Sequence, residues 1–148
     1  MRFKTTAYII LLAVLGLAPR AAAQLPGVQL IVTPPTVSFP VMTGSMVATA
    51  QPLTVQVVVP GQRPWRLMVT AVGPLQSAEG AVIPSGQVSW QGGPAPVFVD
   101  GALSPNQPQL TARGQGSKVG VLRFTLKKRW EYAAGNYSQR LLFTLSSP

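Results

Sequence analysis

Alternation of apolar and polar residues with a period of two constrains this chain more than anything else in it. In residues 118–127, Leu122, Phe124 and Leu126 share one side, and Val121, Arg123, Thr125 and Lys127 share the other. In residues 137–146, Tyr137, Gln139, Leu141, Phe143 and Leu145 alternate with Ser138, Arg140, Leu142, Thr144 and Ser146. Successive side chains of a strand leave opposite faces, so each of these strands has one apolar face that must be covered. Residues 53–59 repeat the pattern through Leu53, Val55, Val57 and Val59. Residues 65–72 repeat it through Trp65, Leu67, Val69 and Ala71. No amphipathic helix pattern offers a cover, so sheet must pack on sheet.

The segments between these strands are short and rich in turn residues. Residues 28–32 read as a first strand that Pro34-Pro35 stops, and residues 36–39 as a short edge strand. Residues 40–52 read as loop with a strand inside it. Pro60-Gly61 is a turn signal, and it makes residues 53–59 and 65–72 a hairpin. Residues 73–86 read as loop, with 81–83 pairing briefly. Residues 87–90 and 96–99 read as short strands, Asp100-Gly101 as a turn, and 103–116 as a surface excursion. Residues 128–136 exceed the two to five residues common in hairpin loops. The chain therefore passes there from one sheet to the other, with Gly135 able to take positive φ at the bend. The fold class is all-β, an antiparallel β-sandwich of about 7–8 strands.

The N-terminus has a different logic. Arg2 and Lys4 precede an unbroken apolar run at residues 7–18. Pro19-Arg20 ends the run, and Ala21-Ala22-Ala23 offers small residues for cleavage. That order is the order of a secretory signal peptide. A membrane span needs about 20 apolar residues, so the rival reading, an uncleaved anchor, has a short run to work with. The expected division is a signal peptide at 1–23, cleaved after Ala23, and a single β-sandwich domain at 24–148. No stable membrane span is expected after cleavage, and the destination is the periplasm, the cell surface or the medium.

Ala134-Gly135-Asn136-Tyr137 leading into a strand resembles the tyrosine corner of immunoglobulin-like sandwiches, in which a Tyr hydroxyl bonds back to nearby backbone. The longer pattern W-x-Y-A-A-G-x-Y, Trp130 to Tyr137, followed by Leu-x-Phe-Thr-Leu at 141–145, is similar to the ends of bacterial secreted surface sandwiches. These include pilin-like and spore-coat-U-like proteins and WxL-type surface domains. Residues 64–69 resemble the tryptophan-bearing strand of such proteins. The chain departs from antibody-type and spore-coat-U-like domains in having no cysteine pair. The resemblance implies an immunoglobulin-like sandwich, structural roles for Trp65, Gly135 and Tyr137, and a bacterial structural or adhesive surface subunit.

Composition narrows the chemistry. The chain has no Cys and no His, and Glu79, Asp100 and Glu131 are its three acids. Thiol, imidazole and multi-carboxylate metal sites therefore lack their ligands. A Ser-His or Cys-His catalytic pair cannot be built, and the carboxylates show no paired spacing. The protein is expected to be no enzyme and to use no cofactor. The net charge is +9, and losing Arg2, Lys4 and Arg20 with the leader leaves +6. Such a charge either draws anionic cell-envelope polymers or keeps the domain soluble and its strand edges unpaired.

The one positive cluster is Arg123, Lys127, Lys128, Arg129 and Arg140, with Trp130 and Tyr132 beside it. Interleaved cations and aromatics can hold an anionic polymer or stack on glycan rings. The bland reading is a solvated outer face with the aromatics capping the sandwich end. Trp65 has the same two readings, ligand stacking or core. The function expected is a secreted or cell-surface contact protein, joined to other surface-protein subunits by β-strand addition. The alternative is a binding module for an anionic polymer or glycan at the basic aromatic corner.

Overall fold

Strands that are apolar on one face stack here into two sheets. The structure is a computed structural model and describes residues 4–12, 27–39, 47–127, 129, 131–133 and 136–147. Its strands are β1 (Lys4–Leu12), β2 (Gln29–Thr33), β3 (Thr36–Val37), β4 (Val47–Thr49), β5 (Leu53–Val58) and β6 (Pro64–Ser77). There follow β7 (Val82–Ile83), β8 (Val88–Gly93), β9 (Gly101–Ala102), β10 (Pro108–Gln115), β11 (Lys118–Lys127) and β12 (Tyr137–Ser146). Sheet I runs β10-β6-β12-β1-β3, with β7 on β6; sheet II runs β2-β5-β11-β8-β9, with β4 on β11. Neighbouring strands are antiparallel except β1 and β3, which are parallel. The protein is an all-β sandwich, as the alternation requires.

The inner faces meet as one core. Leu53, Val55 and Val57 of β5 and Leu122, Phe124 and Leu126 of β11 close it from sheet II. Trp65, Leu67 and Val69 of β6 and Leu141, Phe143 and Leu145 of β12 close it from sheet I. Burying one such Leu or Phe is worth about 1.5–3 kcal/mol, a large share of a domain's net stability of about 5–15 kcal/mol. Trp65 belongs to this core, and its indole N–H donates to Gly116 O at 2.7 Å. Trp90 is buried as well, donates to Val99 O at 2.9 Å, and tilts against Phe124 with ring centroids 6.1 Å apart.

Five local expectations need correcting. β5 and β6 do not form a hairpin: β5 lies in sheet II and β6 in sheet I. Residues 73–77 are not loop, because β6 continues through Gly73 and Pro74 to Ser77. Two extra β6 residues are absorbed opposite Ser138 and Arg140, where the register shifts. The supposed excursion at 103–116 contains β10, whose bulge at Leu110/Ala112 sends both Thr111 and Ala112 inward. Residues 96–99 give one isolated bridge, Phe98 with Ala112, and Gly101 opens β9 instead of completing a turn. The passage at 128–136 does connect sheet II to sheet I.

Lys4–Leu12, inside the stretch read as a leader, pairs along β12. The expected cleavage point after Ala23 lies outside the described residues.

Phe98 is seated directly over Gly120 of β11, where an added Cβ would overlap its ring. Gly120→Ala is expected to cost about 1–3 kcal/mol through overpacking. Gly86→Ala, which meets open space, should stay within about 0.5 kcal/mol of the parent. Urea unfolding midpoints check both.

Candidate interaction surfaces

The corner before β12 is built around Tyr137. Its ring is buried, and its hydroxyl donates to Ala133 O at 2.7 Å, four residues back. Desolvation by burial, and secondarily the negative charge of Glu79, push the phenol above its ordinary pKa of 10.0. Tyr132 is half-buried and packs against the core. Gly135, like Lys128 and Trp130, lies outside the described residues.

Among the described residues, the basic cluster is spread over more than one surface. Arg123 and Lys127 are exposed on the outer face of sheet II, opposite Gln91 and Val47 in register. Arg140 is exposed on β12 in sheet I, on the far side of the sandwich. Arg129 is exposed and lies 3.6 Å from Glu131. Such an exposed pair contributes little.

A different pair of cations is brought together. Arg66 of β6 and Arg113 of β10 are direct register partners, and both are exposed. Cross-strand partners share a face a few ångströms apart, so like charges there repel. Neither has an acidic partner among the described residues. They edge an open cleft of about 510 Å³ whose lining includes Pro64, Met68, Leu110 and Gln115.

The second distinctive surface is the edge of β12 away from β6. Positions Thr5, Ala7, Ile9 and Leu11 of β1 lie opposite Leu145, Phe143, Leu141 and Gln139. β3 takes the other side of β1, at Ile10↔Thr36 and Leu11↔Val37. Gln139 is buried. Its Nε2 donates to Gly73 O and to Ser85 Oγ, both at 2.8 Å, and Ser85 Oγ donates to Gly73 O at 3.0 Å. These bonds satisfy the carbonyl that the β6 bulge leaves out of the ladder. Gln139 Oε1 is buried and has no partner.

No family model matches the chain, and no curated protein matches it. Among the described residues no group of three or more metal-ligating side chains comes together. Sequence reasoning missed Arg66 and Arg113 because their meeting depends on the β6–β10 register. Gln139 did carry a signal, a polar residue in the apolar parity of its strand.

Tyr137→Phe is expected to cost about 1 kcal/mol at neutral pH. Above pH 10 the unfolded chain gives up the phenol proton first, so the folded state loses stability as pH climbs toward the raised folded value. Denaturation against pH should therefore show a shallower alkaline decline in Tyr137→Phe than in the parent.

Proposed function

We propose that this chain is an exported, non-catalytic contact subunit of a bacterial cell surface, joined to other surface-protein subunits by strand addition. One observation carries the reading. An interior strand of sheet I, β12, has one edge satisfied by β6 and the other by residues that fall inside the expected leader. Cleavage of the leader leaves that edge, and the apolar residues beside it, needing cover. Added strands supply backbone hydrogen bonds and side chains of the right parity together. The lack of His and Cys in the composition agrees with contact rather than reaction.

Exported protein, examined by size-exclusion chromatography and electron microscopy, is expected to occur joined to further subunits. A strictly monomeric species at high concentration, with no surface attachment, would count against the proposal.

The Arg66–Arg113 pair favours a second reading, an anionic polymer held along the β6–β10 cleft. A polyanion would neutralise the repulsion between the two guanidinium groups and bridge them through bidentate contacts. Arg66→Ala with Arg113→Ala should lower the salt needed to elute the protein from a polyanion column, while Lys127→Ala leaves elution nearly unchanged. An effect of Lys127→Ala about half that of the double change, equal per charge removed, would mean that net charge alone governs retention.

A further inference from the structure

We infer that the β12 edge filled by Lys4–Leu12 becomes, in the exported domain, a receptor for an extended segment of a different polypeptide. That segment runs antiparallel to β12 for nine residues. It carries apolar side chains opposite Leu145, Phe143 and Leu141, and a hydrogen-bond donor opposite Gln139. The inference rests on the contact-subunit reading and deepens it, by fixing the site, the direction and the composition of the partner.

The site has two walls. β12 offers one row of backbone groups from Ser138 to Ser146, and β3 offers a second, short row on the far side of the seated strand. An occupant is thus bound along both edges rather than laid on an open rim. The chain cannot refill the site by itself after the expected cleavage. Residues 24–27 then precede Val28, and Gln29–Thr33 are already engaged with β5. Four residues reach about 13 Å at the rise of a strand, against about 30 Å for nine. The new N-terminus of a second copy is equally short, so the segment comes from another protein.

The leader is a poor match to what β12 presents. In register it places Ala7 opposite Phe143, Thr5 opposite Leu145 and Leu11 opposite Gln139. A buried acceptor without a partner costs free energy. Gln139 Oε1 is such an acceptor, at the register position of an apolar leader residue. A segment with larger apolar residues at the first two positions and a hydroxyl or amide at the last satisfies β12 better than the leader does.

The chain has no cysteine, so engineered thiols report register without background. A full-length chain bearing Leu142→Cys and a protease site at residues 20–24 is cut, unfolded, freed of its leader fragment and refolded with an excess of peptide. The parent peptide is residues 4–12 with a Lys-Lys tail and Cys in place of Tyr8, the partner of Leu142. A second peptide carries Ser in place of Leu11.

Refolding, read by tryptophan fluorescence, is expected to depend on peptide. Disulfide linkage at position 142 should exceed linkage to a Ser138→Cys control at least tenfold. The Leu11→Ser peptide should dissociate about fivefold more slowly than the parent, and Gln139→Leu in the domain should erase that difference.

Equal linkage at 138 and 142, no linkage, or identical refolding without peptide overturns the receptor. Concentration-dependent linkage of domain to domain without peptide overturns the assignment to a different polypeptide. Register-specific linkage in a protein never found joined to another subunit would sink the contact-subunit function and leave the receptor standing. Joined subunits with no linkage at 142 would do the reverse.

Discussion

The pairing of β12 along both of its edges is the interaction on which sheet I depends. β6 holds one edge from Arg66 to Ser77, and β1 holds the other along the whole strand. Between them Leu141, Phe143 and Leu145 are wholly buried. β3 belongs to sheet I through its contact with β1. Removing β1 would therefore also separate β3 from the sheet, and a single N-terminal strand governs how far the sheet extends. The knot of Gln139, Ser85 and Gly73 serves the same pairing. It satisfies the carbonyl that the bulge frees, and so lets β6 carry two extra residues without breaking its partnership with β12.

Sheet II reaches sheet I by filling, not by cross-linking. With no cysteine available, the residues that close the sandwich are large side chains set over glycines. Phe98 lies over Gly120, and Trp90 over Gly101. Both hollows exist because a Cβ is missing. Residues 97–99 are tied down by backbone bonds to Thr111 and Arg113, at 3.0 Å each, which hold Phe98 in place. The two buried indoles find carbonyl acceptors, so burying them leaves no N–H unsatisfied. Packing of this kind is sensitive to a single methyl group, unlike a disulfide framework, which tolerates local misfit.

What was legible in the sequence followed from strict alternation. Residues 53–59, 65–72, 118–127 and 137–146 obey it, and each is a strand on the expected face. The passage at 128–136 was legible from its length alone. The turn at Pro60-Gly61 was not. A short connection between two alternating strands has the same local chemistry whether they pair or split between sheets, and only the packing of the core decides. β10 was hidden for another reason. Its bulge puts Thr111 and Ala112 inward in succession, and Pro108 and two glutamines give it a loop-like composition. An edge strand tolerates such residues.

The candidate surfaces were harder still, because register, not composition, makes them. Of the basic residues read together in the sequence, Arg123 and Lys127 lie on one sheet and Arg140 on the other. Arg66 and Arg113, far apart in sequence, are made neighbours. The leader expected at 1–23 and a strand would impose different demands on the same residues. Targeting asks for an unbroken apolar run, whereas a half-buried strand asks for alternation. From Ala7 to Leu12 every residue is apolar, so a slip by one residue would still present apolar side chains to both faces. Register is weakly specified in such a strand. β12, by contrast, alternates strictly over its whole length and discriminates among the segments laid beside it. The specificity of that edge therefore resides in β12 rather than in the strand laid beside it.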